Sequence, residues 1–467
     1  MLTRLEVNGF KNLIDFSIDF GPLTCIAGPN GVGKSNIFDA IEFLSLLADN
    51  TLIEAALKLR GATKDTADVG EIFWTNGTER AETFTIAAEM IVPSLIRDDF
   101  GREAEASSTF LRYELEVGYE RPEGRTSLGR LVLRREALRY IPEGESVSKL
   151  GFHHAPVFRK SVINNKRRTK TRLYISTETT EDGYTEILVH QEGNAGRPQR
   201  APAESAPRTV IATTNTSTTP TILAARREMQ SWRILALEPS AMRAADRFQD
   251  DPHVTPSGRH LPATLFRMAG DKSLGDKIYS RVTAKLSDLV PIKMLAVDKD
   301  DVRQLLVLQA VESTGAVMPA KSLSDGTLRF LTLSIISEDP EAQGLICMEE
   351  PENGIHPAKL EHMVELLRDL VVDPTSRVDT DNPLRQLIIA THSPGIVQLQ
   401  NSGDLLFALN VLIRDSSGRI AETIRCRPLF KTWRSKQEDQ GIGMGTILAY
   451  LTAPPGAQLR LTGMEEA

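Results

Sequence analysis

Residues 28–35 read Gly-Pro-Asn-Gly-Val-Gly-Lys-Ser, a composition suited to wrapping a phosphate. The glycines let the backbone turn its N–H groups toward one anion, and the helix that opens here adds about half a positive charge. Lys34 would reach the β- and γ-phosphates, and Ser35 would ligate Mg²⁺. The expected nucleotide contacts are Asn30, Gly31, Gly33, Lys34, Ser35 and Asn36. Such a loop needs a strand before it and a helix after it. Leu23 to Ala27 is a short apolar run of the buried-strand kind, and Asn36 to Leu44 carries apolar residues at helical spacing.

A second concentration of chemistry lies in the last third. Gly344 to Met348 is an apolar strand ending in Glu349-Glu350. Two carboxylates there give one group to hold a metal and its water shell and another to polarise an attacking water; Glu349 is assigned the metal and Glu350 the general base. A further apolar strand, Gln386 to Ala390, ends in Thr391-His392-Ser393-Pro394, which sets His392 to contact the γ-phosphate or orient the water. Lys321 to Thr327 leads into the helical pattern Leu328 to Ile336, and Pro351 to Pro357 reads as a loop before a helix from about Ala358 to Leu370.

The elements that must position these groups are spread along 467 residues, enough for two or three domains. Hydrophobic content of 41% and charged content of 25% are ordinary for a soluble globular chain. The net charge of −7 argues against a protein that coats nucleic acid along its whole surface. Cys25, Cys347 and Cys426 lack metal-like spacing, which fits a reducing cytosol. Met1 to Glu6 enters an amphipathic strand without a signal-peptide pattern, and no run approaches a membrane span.

Leu2 to Val7 and Leu13 to Phe20 read as strands joined at an Asn-Gly turn, and helical spacing runs on to about Leu59. From about Gly70 the pattern becomes β-rich, with strands expected at Phe84 to Ile91, Arg112 to Val117 and Leu131 to Arg135. The stretch Arg159 to Arg172 is basic, and Lys166, Arg167 and Arg168 are its candidate nucleic-acid contacts, a solvated hairpin being the alternative. Residues 202–221, rich in Ala, Pro, Ser and Thr, read as an exposed loop or linker. Helical spacing returns at Ala263 to Leu289, and strands close the pattern at Leu405 to Leu409 and Ile420 to Cys426.

Taken together, these motifs resemble the ABC-type ATPase heads of the RecF/SMC/OLD-like branch, the type called AAA ATP-binding domain 21. Gly28 to Ser35 matches the phosphate loop, Leu323-Ser324-Asp325-Gly326-Thr327 the signature, Glu349-Glu350 the Walker B end, Glu352-Asn353-Gly354 the D-loop and His392 the switch histidine. The resemblance implies an α/β fold: a P-loop NTPase of ABC-ATPase head type, a mixed β-sheet flanked by helices, with a large inserted α+β region. It divides the chain into head segments at 1–60 and 281–430, an insertion at 61–280 and a tail at 431–467. It also implies ATP and Mg²⁺ as ligands, with Ser35 and Glu349 on the metal and Glu350 and His392 catalytic. Two heads would sandwich ATP, with Ser324, Asp325 and Gly326 of one copy facing the nucleotide of the other. Asp325 stands where transporter heads usually have glycine, and Glu349 where aspartate is commoner.

About 290 residues separate Lys34 from Ser322 without heptads, so a long coiled-coil arm is not expected. Neither an HNH motif nor the acidic pattern of the Toprim nuclease of OLD proteins follows. The expectation is a cytoplasmic, homo-oligomeric ATPase, without membrane contact, that controls a separate effector such as a nuclease in bacterial anti-phage defence. It is similar in this to the ATPase components of PARIS and Septu. The alternatives are a RecF-like DNA-binding ATPase of DNA repair and an ATP-dependent scaffold with negligible turnover.

Overall fold

The computed structural model describes every residue except 60–67, 77–78, 122–128, 166–172, 193–195, 272–274, 276, 313, 415–419, 436–440 and 453–467. Its centre is a six-stranded sheet ordered Arg233–Leu235, Gly344–Glu349, Arg385–Thr391, Leu23–Ala27, Leu405–Arg414 and Ile420–Pro428. The first five strands run parallel and the last returns antiparallel. Leu23–Ala27 and Arg385–Thr391 are buried at every position, as parallel strands covered on both faces must be. Side chains alternate between two apolar clusters: Ile26, Cys347 and Ile388 face one, Cys25, Ile346 and Ile389 the other.

The helix Lys34–Leu47 lies in the first of these clusters, together with residues of a second, eight-stranded antiparallel sheet. Phe43 of the helix meets Phe84 of that sheet edge-on, with ring centroids 5.6 Å apart, and Phe10 lies 5.3 Å from Phe84. Helical spacing does not run unbroken to Leu59. The chain stops after Leu47 and restarts as Leu52–Lys58, where Thr51 and Glu54 form a reciprocal capping box.

The eight-stranded sheet runs Gln199–Pro202, Thr185–Val189, Leu173–Thr179, Arg130–Tyr140, Phe110–Glu120, Thr83–Ile91, Leu2–Asn8 and Phe16–Asp19. The β-rich stretch expected after Gly70 is therefore continuous with the first strands of the chain, since Leu2–Asn8 pairs antiparallel with Thr83–Ile91. The boundary expected at 280 also needs correction. Arg233–Leu235 lies inside 61–280, yet it pairs in parallel with Gly344–Glu349 and forms the edge of the central sheet.

Residues 202–221 are a second correction. They contain the helix Val210–Thr213 and the start of Pro220–Gln230, with Ala203, Thr209, Ile211 and Thr221 buried. Glu136 fastens them: its Oε2 accepts from Val210 N at 2.7 Å and its Oε1 from Ile211 N at 3.1 Å. Burial raises the Glu136 carboxyl from 4.5 to about 7, against the opposing pull of those two donors. A folded-state value above the unfolded one means the folded chain holds the extra proton between them, so stability falls as pH climbs from 4.5 through 7. Urea midpoints are expected to drop from pH 5 to pH 8, with Glu136 contributing at most about 3 kcal/mol. In Glu136→Gln that part of the slope disappears; an unchanged slope contradicts the assignment.

The helical pattern at 263–289 resolves into Leu261–Gly270 and Lys277–Ser287. Both pack with the helix Asp325–Glu338 in the second cluster, beside a small sheet built on Ile292–Asp300 and Leu305–Glu312. Among the described residues no helix is long and apolar enough to cross a membrane.

Candidate functional site

The parallel strands end on one side, and the chemistry-bearing residues follow their carboxyl ends, the usual place for a ligand in an open α/β sheet. The histidine-bearing strand Arg385–Thr391 lies between the loop strand Leu23–Ala27 and the carboxylate strand Gly344–Glu349. This order brings the three motifs together: Gly28 N donates to Thr391 O at 3.1 Å, and Glu350 N to Ala390 O at 2.8 Å.

Gly31 and Gly33 of the loop have φ of 80° and 101°, conformations that L side chains rarely adopt. At Gly33 a Cβ would also lie 2.2 Å from Asn12 Nδ2. Helix Lys34–Leu47 has no side-chain cap at Gly33; Asn36 N turns back to Gly33 O at 3.0 Å, and the N–H groups of Lys34 and Ser35 before it point out of the helix start toward an anion. Lys34 Nζ is held inside the loop by the Gly28 and Pro29 carbonyls at 2.7 and 2.8 Å. Burial lowers the Lys34 pKa, opposed by the charges of Glu350 and Glu349. Asn30 and Gly31 are exposed, and Ser35 and Asn36 half-buried. These residues fit a bound triphosphate: uncapped donors, a buried ammonium and a hydroxyl follow one another at one helix start.

Glu349 closes its strand, and Glu350 turns away in the left-handed region with φ of 47°, a strained conformation for a non-glycine residue. Glu350 Oε1 lies 2.8 Å from His392 Nδ1. Its Oε2 is buried and has no hydrogen-bond donor among the described residues. Glu352 repeats the pattern: Oε1 accepts from the Thr391 hydroxyl and Oε2 is buried without a donor. Burial pushes the Glu352 carboxyl up to about 7, with the neighbouring Glu350 adding to the push. Buried carboxylate oxygens without donors are costly, and such sites are explained by a water or ion that belongs there. The donor set fits Mg²⁺, a hard cation that takes oxygen ligands: Ser35 on one side and the carboxylate strand end on the other.

Ser324 caps the helix Asp325–Glu338, its Oγ accepting from Thr327 N at 3.2 Å. Gly326 follows in the first turn, where a Cβ would lie 2.0 Å from Gly354 O. Signature and D-loop of the same chain are therefore in backbone contact, and Asn353 N ties that loop back to Glu350 O at 3.1 Å. Asp325 is paired with Arg243, 2.6 Å away.

Sequence reasoning missed three residues at this site. Asn12 underlies the phosphate loop, accepting from Asn36 Nδ2 at 2.7 Å; its place at the end of the turn that Asn8-Gly9 opens signals only chain reversal. Thr391 was passed over for the histidine beside it, and Arg243 carried no signal because its partner is 82 positions away. Lys166, Arg167 and Arg168 lie outside the described residues.

Two stretches of the chain match family models. Residues 225–398 match one described as "AAA domain, putative AbiEii toxin, Type IV TA system", and residues 4–51 match one described as "AAA domain". Over 44 residues the chain is 50% identical to an OLD nuclease of Thermus scotoductus, a stretch that spans 9% of this chain and 8% of that relative. Both family models describe AAA domains, and the 44-residue match is a likeness to one short part of an OLD nuclease. The two matched segments include Gly28 to Ser35, Leu323 to Thr327, Glu349, Glu350 and His392, and the longer one starts early enough to take in Arg233–Leu235. Among solved structures, an Smc head bound to the C-winged helix domain of ScpA gives a TM-score of 0.46 at 13% identity, covering 92% of this chain and 98% of that one. The Smc head with an extended coiled coil from Pyrococcus furiosus, bound to the C-terminal domain of ScpA, gives 0.45 at 11%, covering 91% and 96%.

Proposed function

We infer that the protein binds and hydrolyses ATP between two copies of its ATPase core, and that the ATP-joined state controls a separate effector protein. The observation that carries the catalytic half is the Glu350–His392 pair, with a buried carboxylate oxygen left over, beside the uncapped helix of the phosphate loop. Asn30, Gly31, Gly33, Lys34 and Asn36 hold the phosphates, and Ser35 and Glu349 would hold Mg²⁺, whose charge offsets that of the β- and γ-oxygens. Glu350 accepts the proton of a water that attacks the γ-phosphorus, the bond to the β-phosphate oxygen breaks, and ADP and phosphate leave. His392 fixes the carboxylate and contacts the γ-phosphate. Asn353, in contact with Glu350 through the backbone, sets the D-loop beside the signature.

Ser324, Asp325 and Gly326 serve the nucleotide of the second copy, so one chain cannot complete the site. ATP then binds the joined state better than the separated one, and hydrolysis releases it. Ser324→Arg puts a bulky cation into the contact between copies. It is expected to abolish hydrolysis while leaving ATP binding within about twofold, because the phosphate loop is untouched. Undiminished hydrolysis by Ser324→Arg monomers contradicts the sandwich.

Control of an effector is supported by the company this core keeps: a family described with a toxin of a toxin–antitoxin system, and an OLD nuclease among its relatives. An anti-phage role of the PARIS and Septu kind follows from that reading. Native purification of Glu350→Gln with ATP tests it, since a second protein at fixed stoichiometry is expected. A bare homo-oligomer carrying DNA would favour DNA repair instead.

A further inference from the structure

Asp325 raises a problem that the proposed function does not solve. It opens the helix Asp325–Glu338 with its side chain 55% exposed, so a sandwich of two copies turns a carboxylate toward a polyphosphate. Arg243 answers that charge. Its Nη2 donates to Asp325 Oδ1 at 2.6 Å and to the Leu323 carbonyl at 2.9 Å, so both ties use one nitrogen. Nε and Nη1 make no hydrogen bond among the described residues, and the guanidinium is partly exposed. The planar fork is thus held by one corner, with its remaining donors presented beside the signature.

The segment that carries Arg243 is fixed to the signature helix. Met242 is buried against it, 3.2 Å from Thr332 Oγ1, and Arg329 Nη2 reaches back to Leu237 O at 3.1 Å. Arg329 thus spends one donor on the Leu237 carbonyl and makes no hydrogen bond to Asp325 among the described residues, whereas Arg243 is bonded to it directly.

We propose that Arg243 binds the terminal phosphate of the nucleotide held by a second copy of this chain, with Asp325 orienting its guanidinium. This deepens the sandwich reading and rests on it. Arginine suits the task because its fork matches phosphate oxygens, and it neutralises the charge that shifts as the phosphoryl group leaves.

Arg243→Ala is expected to lower hydrolysis about 100-fold or more while its own loop still binds ATP. Arg243→Lys, which keeps the charge but loses the fork, should fall between that variant and wild type with an unchanged melting temperature. The decisive experiment mixes inactive variants. Lys34→Ala cannot hold ATP but keeps its signature and Arg243, so equal mixing with Arg243→Ala should restore up to about a quarter of the wild-type rate by random pairing. Mixing Lys34→Ala with Ser324→Arg tests the sandwich alone. Recovery in that control but not with Arg243→Ala overturns the role of Arg243 and leaves the sandwich standing; failure of both overturns the sandwich and this inference with it. The double variant Arg243→Ala/Asp325→Asn must stay inactive, because recovery there would mean that Arg243 only cancels the Asp325 charge.

Discussion

Glu350→Gln is expected to slow ATP hydrolysis about 1,000-fold while ATP affinity holds or tightens. The side chain keeps its length and volume, so the left-handed turn at φ 47° and the strand end before it are undisturbed. What is lost is the charge that accepts a proton; the amide oxygen can still meet His392 Nδ1, as the carboxylate oxygen does at 2.8 Å. The remaining oxygen, Oε2, is buried without a donor among the described residues, and it is the atom to which the proposed base role assigns the water's proton. Single-turnover kinetics check this directly. A rate within tenfold of wild type would move the base role elsewhere, with Glu352 the next carboxylate to test.

Gly326→Ala is expected to remove hydrolysis, by about 100-fold or more, from a protein that still folds and still binds ATP. In a helix interior alanine is favoured over glycine by roughly 0.5–1 kcal/mol, so helix propensity alone gives no reason for a glycine here. Here the added Cβ would lie 2.0 Å from Gly354 O, a backbone atom that cannot step aside alone. Gly354 is itself at φ 83°, so the turn that carries Glu350 and Glu352 must move with it. Overpacking of this kind costs about 1–3 kcal/mol in stability, and its effect on the proposed hydrolysis exceeds that because Glu350 and Glu352 are displaced. ATP binding by the phosphate loop is expected to stay within a few-fold. Wild-type turnover in Gly326→Ala would show that signature and D-loop need not touch.

Much of the candidate site's layout could be read from the chain alone, for a physical reason. Parallel strands buried on both faces must be continuous apolar runs, so Leu23–Ala27, Gly344–Glu349 and Arg385–Thr391 stand out, and the polar residues at their ends stand out by contrast. Arg233–Leu235 escaped notice because three residues at a sheet edge are too few to show a pattern. Residues 202–221 mislead by composition: the Thr209 side chain caps the short helix Val210–Thr213, and a carboxylate from Arg130–Tyr140 holds the segment down. Arg243 and Asn12 could not be found by spacing, since each acts on a motif far along the chain. The tail fares similarly: Arg434 is buried and donates to the Asp19 carbonyl and the Thr24 hydroxyl, contacts that no local pattern signals.

The central claim is that ATP joins two copies of the chain, and the intact-complex mass of Glu350→Gln tests it most directly. With ATP and Mg²⁺ the account predicts two chains carrying two nucleotides. With ADP, or after adding Lys34→Ala to the same chain, it predicts separated chains. A single chain carrying one ATP, at protein concentrations where hydrolysis is measurable in the wild type, would contradict it.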